Sequence, residues 1–99
     1  MDKNKKEFFE LFDSGNFYDA HEFLEQHWNQ EQDPEEKKYL QALIQIAVAR
    51  HLLEQKRYVG AQKVIDRAIK NLEGIYGKHK EIDIKSLVQF ICNECSKNQ

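Results

Sequence analysis

Apolar residues in this 99-residue chain recur at spacings of three and four almost throughout, the period of a helix with one buried face. Five segments carry the pattern. The first runs from about Lys3 to Phe12, where Phe8, Phe9, Leu11 and Phe12 form an apolar side and Gly15 lies just past the end as a stop. The second starts near Phe17 and ends near Gln30. Asn16 is placed to cap it, and Asp19 puts a carboxylate in the first turn, where the helix dipole favours negative charge.

The third segment has the clearest start. Asp33-Pro34-Glu35-Glu36 supplies an N-cap, a proline for the first turn and two acids. It continues YLQALIQIAVARHLL, and from Tyr39 to Ala49 it carries no charge. A helix apolar on all sides is buried on all sides, so this stretch, about residues 34–55, is the expected central helix. The fourth runs from about Tyr58 to Glu73, striped by Ala61, Val64, Ile65, Ala68 and Leu72, with Gly74 as its stop. A loop, GIYGKHKEI, follows. The fifth begins at an Asp83 cap and aligns Ile84, Leu87, Val88, Ile91, Cys92 and Cys95 on one face. No segment alternates as a strand does. The expected fold is therefore all-α, a single compact array of about five helices around a buried central one.

A faint internal repeat accompanies this pattern. NFYDAHEFLE at 16–25 lines up with RYVGAQKVID at 57–66. Both place an aromatic residue ahead of an alanine, as helical-hairpin repeats do for close packing.

Size and composition narrow the class. The length fits one domain. With 40% apolar and 32% charged residues the chain is neither disordered nor low-complexity. Its net charge of −2, with acids and bases interspersed, offers no broad basic face, which argues against nucleic acid as a partner. No apolar run reaches the roughly 20 residues of a membrane span. The basic start MDKNKKEFF has no apolar signal region after it. With two cysteines only, a reducing, cytoplasmic setting is expected.

The candidate chemistry sits in NFYDAHEFLEQHW, residues 16–28. At about 100° per residue, His21 and Glu25 share one helix face, one turn apart, together with Phe17, Leu24 and Trp28. Glu22 points about 100° away from His21, and His27 lies well off that axis. One reading is a metal or acid–base site. A His and a carboxylate at this spacing can reach one cation, with Glu22 as general base toward a bound water, by analogy with H-E-x-x-H. The second His is missing, so further donors are required. The other reading is structural: His21 and Glu25 satisfy one another inside the apolar side, helped by Gln41 and Gln45 from the central helix, with Trp28 as a core anchor.

The phrase SGNFYDAHEFLEQHW resembles the opening N-x-G-x-(F/Y)-(F/Y)-E-A-H-E-x-L-E-x-x-W of the domain-of-unknown-function family numbered 309, small all-helical prokaryotic proteins. A second signature of that family, G-L-I-Q-x-A-V-A followed by His and later G-A, is echoed by Ala42-Leu43-Ile44-Gln45-Ile46-Ala47-Val48-Ala49 and by Gly60-Ala61. The resemblance covers about residues 7–75, with a C-terminal helix at about 83–96 beyond it. It implies a compact helical array with a buried central helix. It also implies, through the family's label of predicted metal-dependent hydrolases, a divalent metal held near His21, Glu22, Glu25, Trp28 and Gln45. Two departures stand out. Ala42 replaces the glycine before L-I-Q. The usual position of the later His falls on Leu52, and the histidine nearest to it is His51.

The remaining candidates read as structural. Cys92-Asn93-Glu94-Cys95 is a single C-x-x-C on an apolar helix stripe, without the second pair that zinc needs or the strand that a redox motif needs. His79 lies in a charged loop. No phosphate loop, nucleophile elbow or dinucleotide fingerprint occurs. Two functional expectations follow. The first is a non-catalytic interaction or regulatory module, working with a protein partner or as a homodimer and needing no cofactor. The second is a metal-dependent hydrolase with His21 and Glu25 as ligands, Glu22 as base, and Gln45 or His51 as a further donor.

Overall fold

The computed structural model describes residues 3–73 and 84–98. All five expected helices are present: α1 (Lys3–Asp13), α2 (Phe17–Gln30), α3 (Pro34–Glu54), α4 (Tyr58–Leu72) and α5 (Ile84–Lys97). No strand occurs among the described residues. The expected Gly74 stop, the loop with His79 and the Asp83 cap lie outside them. None of the described helices is long and apolar enough to cross a membrane.

α3 is the central element. It packs against α2, α4 and α5, while α1 lies on α2 and α5 also packs on α4. From 39 to 53 none of its side chains is exposed. Tyr39, Ala42, Leu43, Ile46, Ala47 and Ala49 are fully enclosed, and the alanines let neighbouring helices approach closely. Its start is built as expected. The Asp33 carboxylate accepts from the Glu36 backbone N–H at 2.8 Å, and Pro34 occupies the first turn, where a missing N–H costs nothing.

α1 is fastened by aromatic packing. Phe8 meets Phe9 edge-on at 4.8 Å between ring centroids, and Phe12 meets Phe17 of α2 at 5.0 Å. α5 buries Ile84, Val88, Ile91 and Cys95, the face that its spacing predicts.

Two turns share one construction. After α1, Gly15 takes a left-handed conformation (φ +86°), and the N–H groups of Gly15 and Asn16 donate to the carbonyls of Phe12 and Leu11. After α3, Lys56 does the same (φ +60°), with Lys56 and Arg57 donating to Leu53 and Leu52. These bonds satisfy carbonyls that a helix end leaves open. The next residues match as well: Asn16 has φ −88° and ψ 63°, Arg57 φ −96° and ψ 71°. Each then accepts, through its carbonyl, from the backbone N–H of a fully buried alanine, Ala20 or Ala61. The weak repeat in the sequence is thus a repeated helix–turn–helix corner.

One cap differs from expectation. The Asn16 side chain makes no capping bond to α2 and donates instead to Ser14 Oγ at 3.0 Å. The turn holds Asn16 outside the extended backbone region that a side-chain cap uses.

Lys56 adopts a left-handed conformation that disfavours any residue with a Cβ. Lys56→Gly should therefore raise the unfolding free energy by about 0.5–1 kcal/mol, after allowing for glycine's greater freedom in the unfolded chain. Urea denaturation checks this, and a loss of similar size would mean that the turn is not left-handed in solution.

Candidate functional site

The repeated corner determines what meets at one end of the molecule. It places the first turns of α2 beside the last turns of α3, with the α3–α4 turn closing the end. Phe17, Tyr18 and His21 from α2, Val48, His51, Leu52 and Gln55 from the end of α3, and Arg57 from the turn line a solvent-open cleft of about 290 Å³. Phe17 is buried, and the Arg50 guanidinium lies 5.0 Å from its ring and 5.0 Å from the ring of Phe90 on α5. That stack braces one wall by cation–π attraction.

Tyr18 stands between two imidazoles, 5.8 Å from His21 and 6.2 Å from His51 between ring centroids. It is 57% exposed. The carboxylate of Glu22, one turn on, holds the Tyr18 phenol above its ordinary pKa, and Asp19 and Glu25 act in the same direction. His21 Nε2 lies 3.0 Å from Glu25 Oε2, one helical turn on. The Gln55 amide nitrogen lies 3.3 Å from His51 Nε2, in hydrogen-bonding range.

The sequence placed His21 and Glu25 within the apolar side of α2. The structure brings them together, but not in the core. Their side chains are 23% and 52% exposed, because this end of α2 borders the open cleft. Gln45, the expected helper, faces another helix: its Oε1 accepts from Asn71 Nδ2 of α4 at 2.9 Å. His51 lies about 120° round α3 from Gln45 and nearly two turns further along it, so it reaches the cleft at the end of α3 while Gln45 meets α4 in the α3–α4 seam. Gln41, one turn before Gln45, is half-buried. Trp28 sits toward the other end of α2, with the Lys37 ammonium 4.5 Å from its ring and its buried Nε1 without a hydrogen-bond partner among the described residues.

A metal site needs three or four converging donors. His21 and Glu25 turn to each other, Glu22 to Tyr18, His51 to Gln55 and Gln45 to Asn71. Among the described residues no three His, Cys, Asp or Glu side chains form a group able to hold a metal ion. Burial pushes the Cys92 and Cys95 thiols up, away from the reactive thiolate form. Both cysteines are free.

Sequence reasoning missed Tyr18, Gln55 and Arg57 as cleft residues. Tyr18 and Arg57 both belong to the repeated corner, so the repeat was the signal that pointed to them. Leu52, where the family resemblance places its usual His, lines the same cleft.

The helices and cleft define a small all-α domain with a mixed apolar and polar recess at one end. The chain belongs to the family described as Domain of unknown function (DUF309), which matches residues 6–64. It is also similar to the crystal structure of a conserved hypothetical protein from Thermus thermophilus, at 28% identity and a TM-score of 0.78. That likeness covers 97% of this chain and 99% of the other. No curated protein matches the sequence.

Two predictions test the site's construction. Gln45→Ala strands the part-buried Asn71 amide and should cost about 1–3 kcal/mol, whereas His21→Ala breaks a solvent-screened pair and should cost less than about 1 kcal/mol. Paired denaturation curves check the order, and the reverse order would mean that His21 is a core residue in solution. The Tyr18 phenol should titrate above free tyrosine in a ring-carbon NMR titration. Glu22→Gln removes the negative charge that opposes the phenolate, so the midpoint should fall. An unchanged midpoint would mean that Glu22 does not act on the phenol.

Proposed function

We propose that this protein is a non-catalytic binding module, of the interaction or regulatory kind, and that the cleft between α2, α3 and the α3–α4 turn is where it binds. One observation carries the reading. The recess is open and largely apolar, while the polar groups that catalysis would draw on are engaged with their neighbours, Glu22 with Tyr18, His21 with Glu25 and His51 with Gln55. Recesses that combine apolar walls with a set of polar groups, here His21, His51, Gln55 and Arg57, are the usual form of small-molecule sites. The free thiols of Cys92 and Cys95 support a reducing, cytoplasmic setting for it.

A second reading, the metal-dependent hydrolase, is favoured by one feature: His21 and His51 line the same cleft. It would take His21 and Glu25 as ligands and Glu22 as base. Of its two further donors His51 is better placed, because Gln45 is turned to α4.

The test sets both readings side by side. A library of small fragments is screened by amide NMR, and esterase, phosphatase and peptidase substrates are offered with added zinc or manganese. The expected result is fragment-induced shifts clustered at Tyr18, Val48, His51 and Leu52, with no turnover. Turnover that is metal-dependent and lost in Glu22→Gln would overturn the binding reading and establish the hydrolase.

A further inference from the structure

We infer that the cleft binds a small apolar carboxylic acid, its carboxylate at Arg57 and its apolar body against Phe17, Val48 and Leu52; this rests on the cleft being a binding site.

The charge of the lining carries the first part. Among the described residues that line the cleft, Arg57 is the one with a fixed charge and none is a carboxylate, although Arg57 also borders a second recess with Lys56, Tyr58, Val59 and Gly60. The acids nearest on α2 are tied at the rim, Glu22 by Tyr18 and Glu25 by His21. Arg57 is exposed and has no ion-pair or hydrogen-bond partner for its side chain among the described residues. Its backbone N–H and carbonyl hold the corner, donating to Leu52 and accepting from Ala61. The guanidinium is thus carried on a hydrogen-bonded turn, with no partner for its donors among the described residues. A planar carboxylate is the group that a guanidinium fork takes with two parallel hydrogen bonds.

Shape and polarity carry the second part. At about 290 Å³ the recess lies at the lower edge of the roughly 300–1,000 Å³ common for small-molecule sites. It suits one ring or a short branched chain, not a nucleotide. Phe17, Val48 and Leu52 offer such a body apolar contact, and Tyr18 offers an aromatic face. The Gln55 amide supplies one further donor. A phosphate dianion would meet one fixed positive charge among the described lining and make no use of the apolar contacts of Phe17, Val48 and Leu52. A monoanion with an apolar tail gains at both ends.

Phenylacetate is the probe, followed by amide NMR on the whole chain. Neutral phenylacetamide, inorganic phosphate and an N-acetylated peptide ending in phenylalanine are the comparators. Phenylacetate should shift Phe17, Tyr18, Val48 and Leu52 saturably at millimolar concentrations, and the amide should bind about tenfold more weakly, as loss of a charged hydrogen bond implies. Arg57→Gln should weaken phenylacetate by about the same factor. Lys56→Gln, a neighbouring cation outside the lining, should leave it unchanged. The exposed side chain of Arg57 takes no part in the corner's backbone bonds, so the variant should keep its fold, and its amide spectrum shows whether it does. Arg57→Lys, which keeps the charge but not the fork, should fall between.

Equal binding of acid and amide, or an unaltered Arg57→Gln, overturns the proposal. So does tighter binding of phosphate. Tighter binding of the peptide overturns the free acid as the source of the carboxylate. If phenylacetate fails while other fragments occupy the cleft, the acid is excluded and the binding reading stands. If nothing occupies the cleft, both fall.

Discussion

Burying α3 on every side is the constraint to which the other four helices answer. An ordinary surface helix hides one stripe and shows another to water. From 39 to 53 this one has no exposed side chain, only buried and half-buried ones. α2, α4 and α5 must therefore surround it, and the fully buried alanines on α3, together with Ala20 of α2 and Ala61 of α4, permit that approach. A helix enclosed in this way has little of the polar asymmetry that usually sets its rotation. Here the hydrogen bond from Asn71 to Gln45 contributes that information at the α3–α4 seam, since a half-turn of α3 would leave both amides part-buried and unpaired.

The fold was legible in the sequence because its signals are local. Helix spacing, the Asp33-Pro34 start, Gly15 after α1 and the charge-free run from Tyr39 to Ala49 each dictate a backbone choice within a few residues. The repeated corner was only partly legible. Its aromatic and alanine positions showed in the alignment of 16–25 with 57–66. The left-handed residue that makes the corner was visible at Gly15 and hidden at Lys56, because lysine gives no hint of a positive φ. Tertiary packing imposes the conformation there at a local cost. The Asn16 cap misled for the complementary reason: the residue type favours capping, but the corner's geometry turns its side chain away.

The site was less legible, because periodicity places a side chain on a face and says nothing of which neighbour covers that face. His21 and Glu25 do pair, as their spacing requires. Their exposure depends on where α3 ends relative to α2, a distance that helical spacing does not encode. Gln45 pairs across the α3–α4 seam for the same reason. Arg57 carried no motif of its own and became a cleft residue only through the corner that it follows.

The two corners also explain why the recess lies where it does. A corner turns its outgoing helix so that the aromatic residue at its start folds under the preceding helix: Phe17 is buried, and Tyr58 is half-buried in the equivalent place. The residue that follows then faces outward, Tyr18 after one corner and Val59 after the other, and both stay more than half exposed. Because α2 and α3 run antiparallel, the first corner falls beside the end of α3, where the second begins. The cleft is the space between two copies of one turn. Val48 and Leu52 of α3 join Phe17 of α2 in its apolar wall, and its one fixed charge among the described residues comes from the turn that ends α3. Recess and buried helix thus have a common origin: where α3 stops, its covering helices stop too, and the last apolar turn stays partly open to whatever can occupy it.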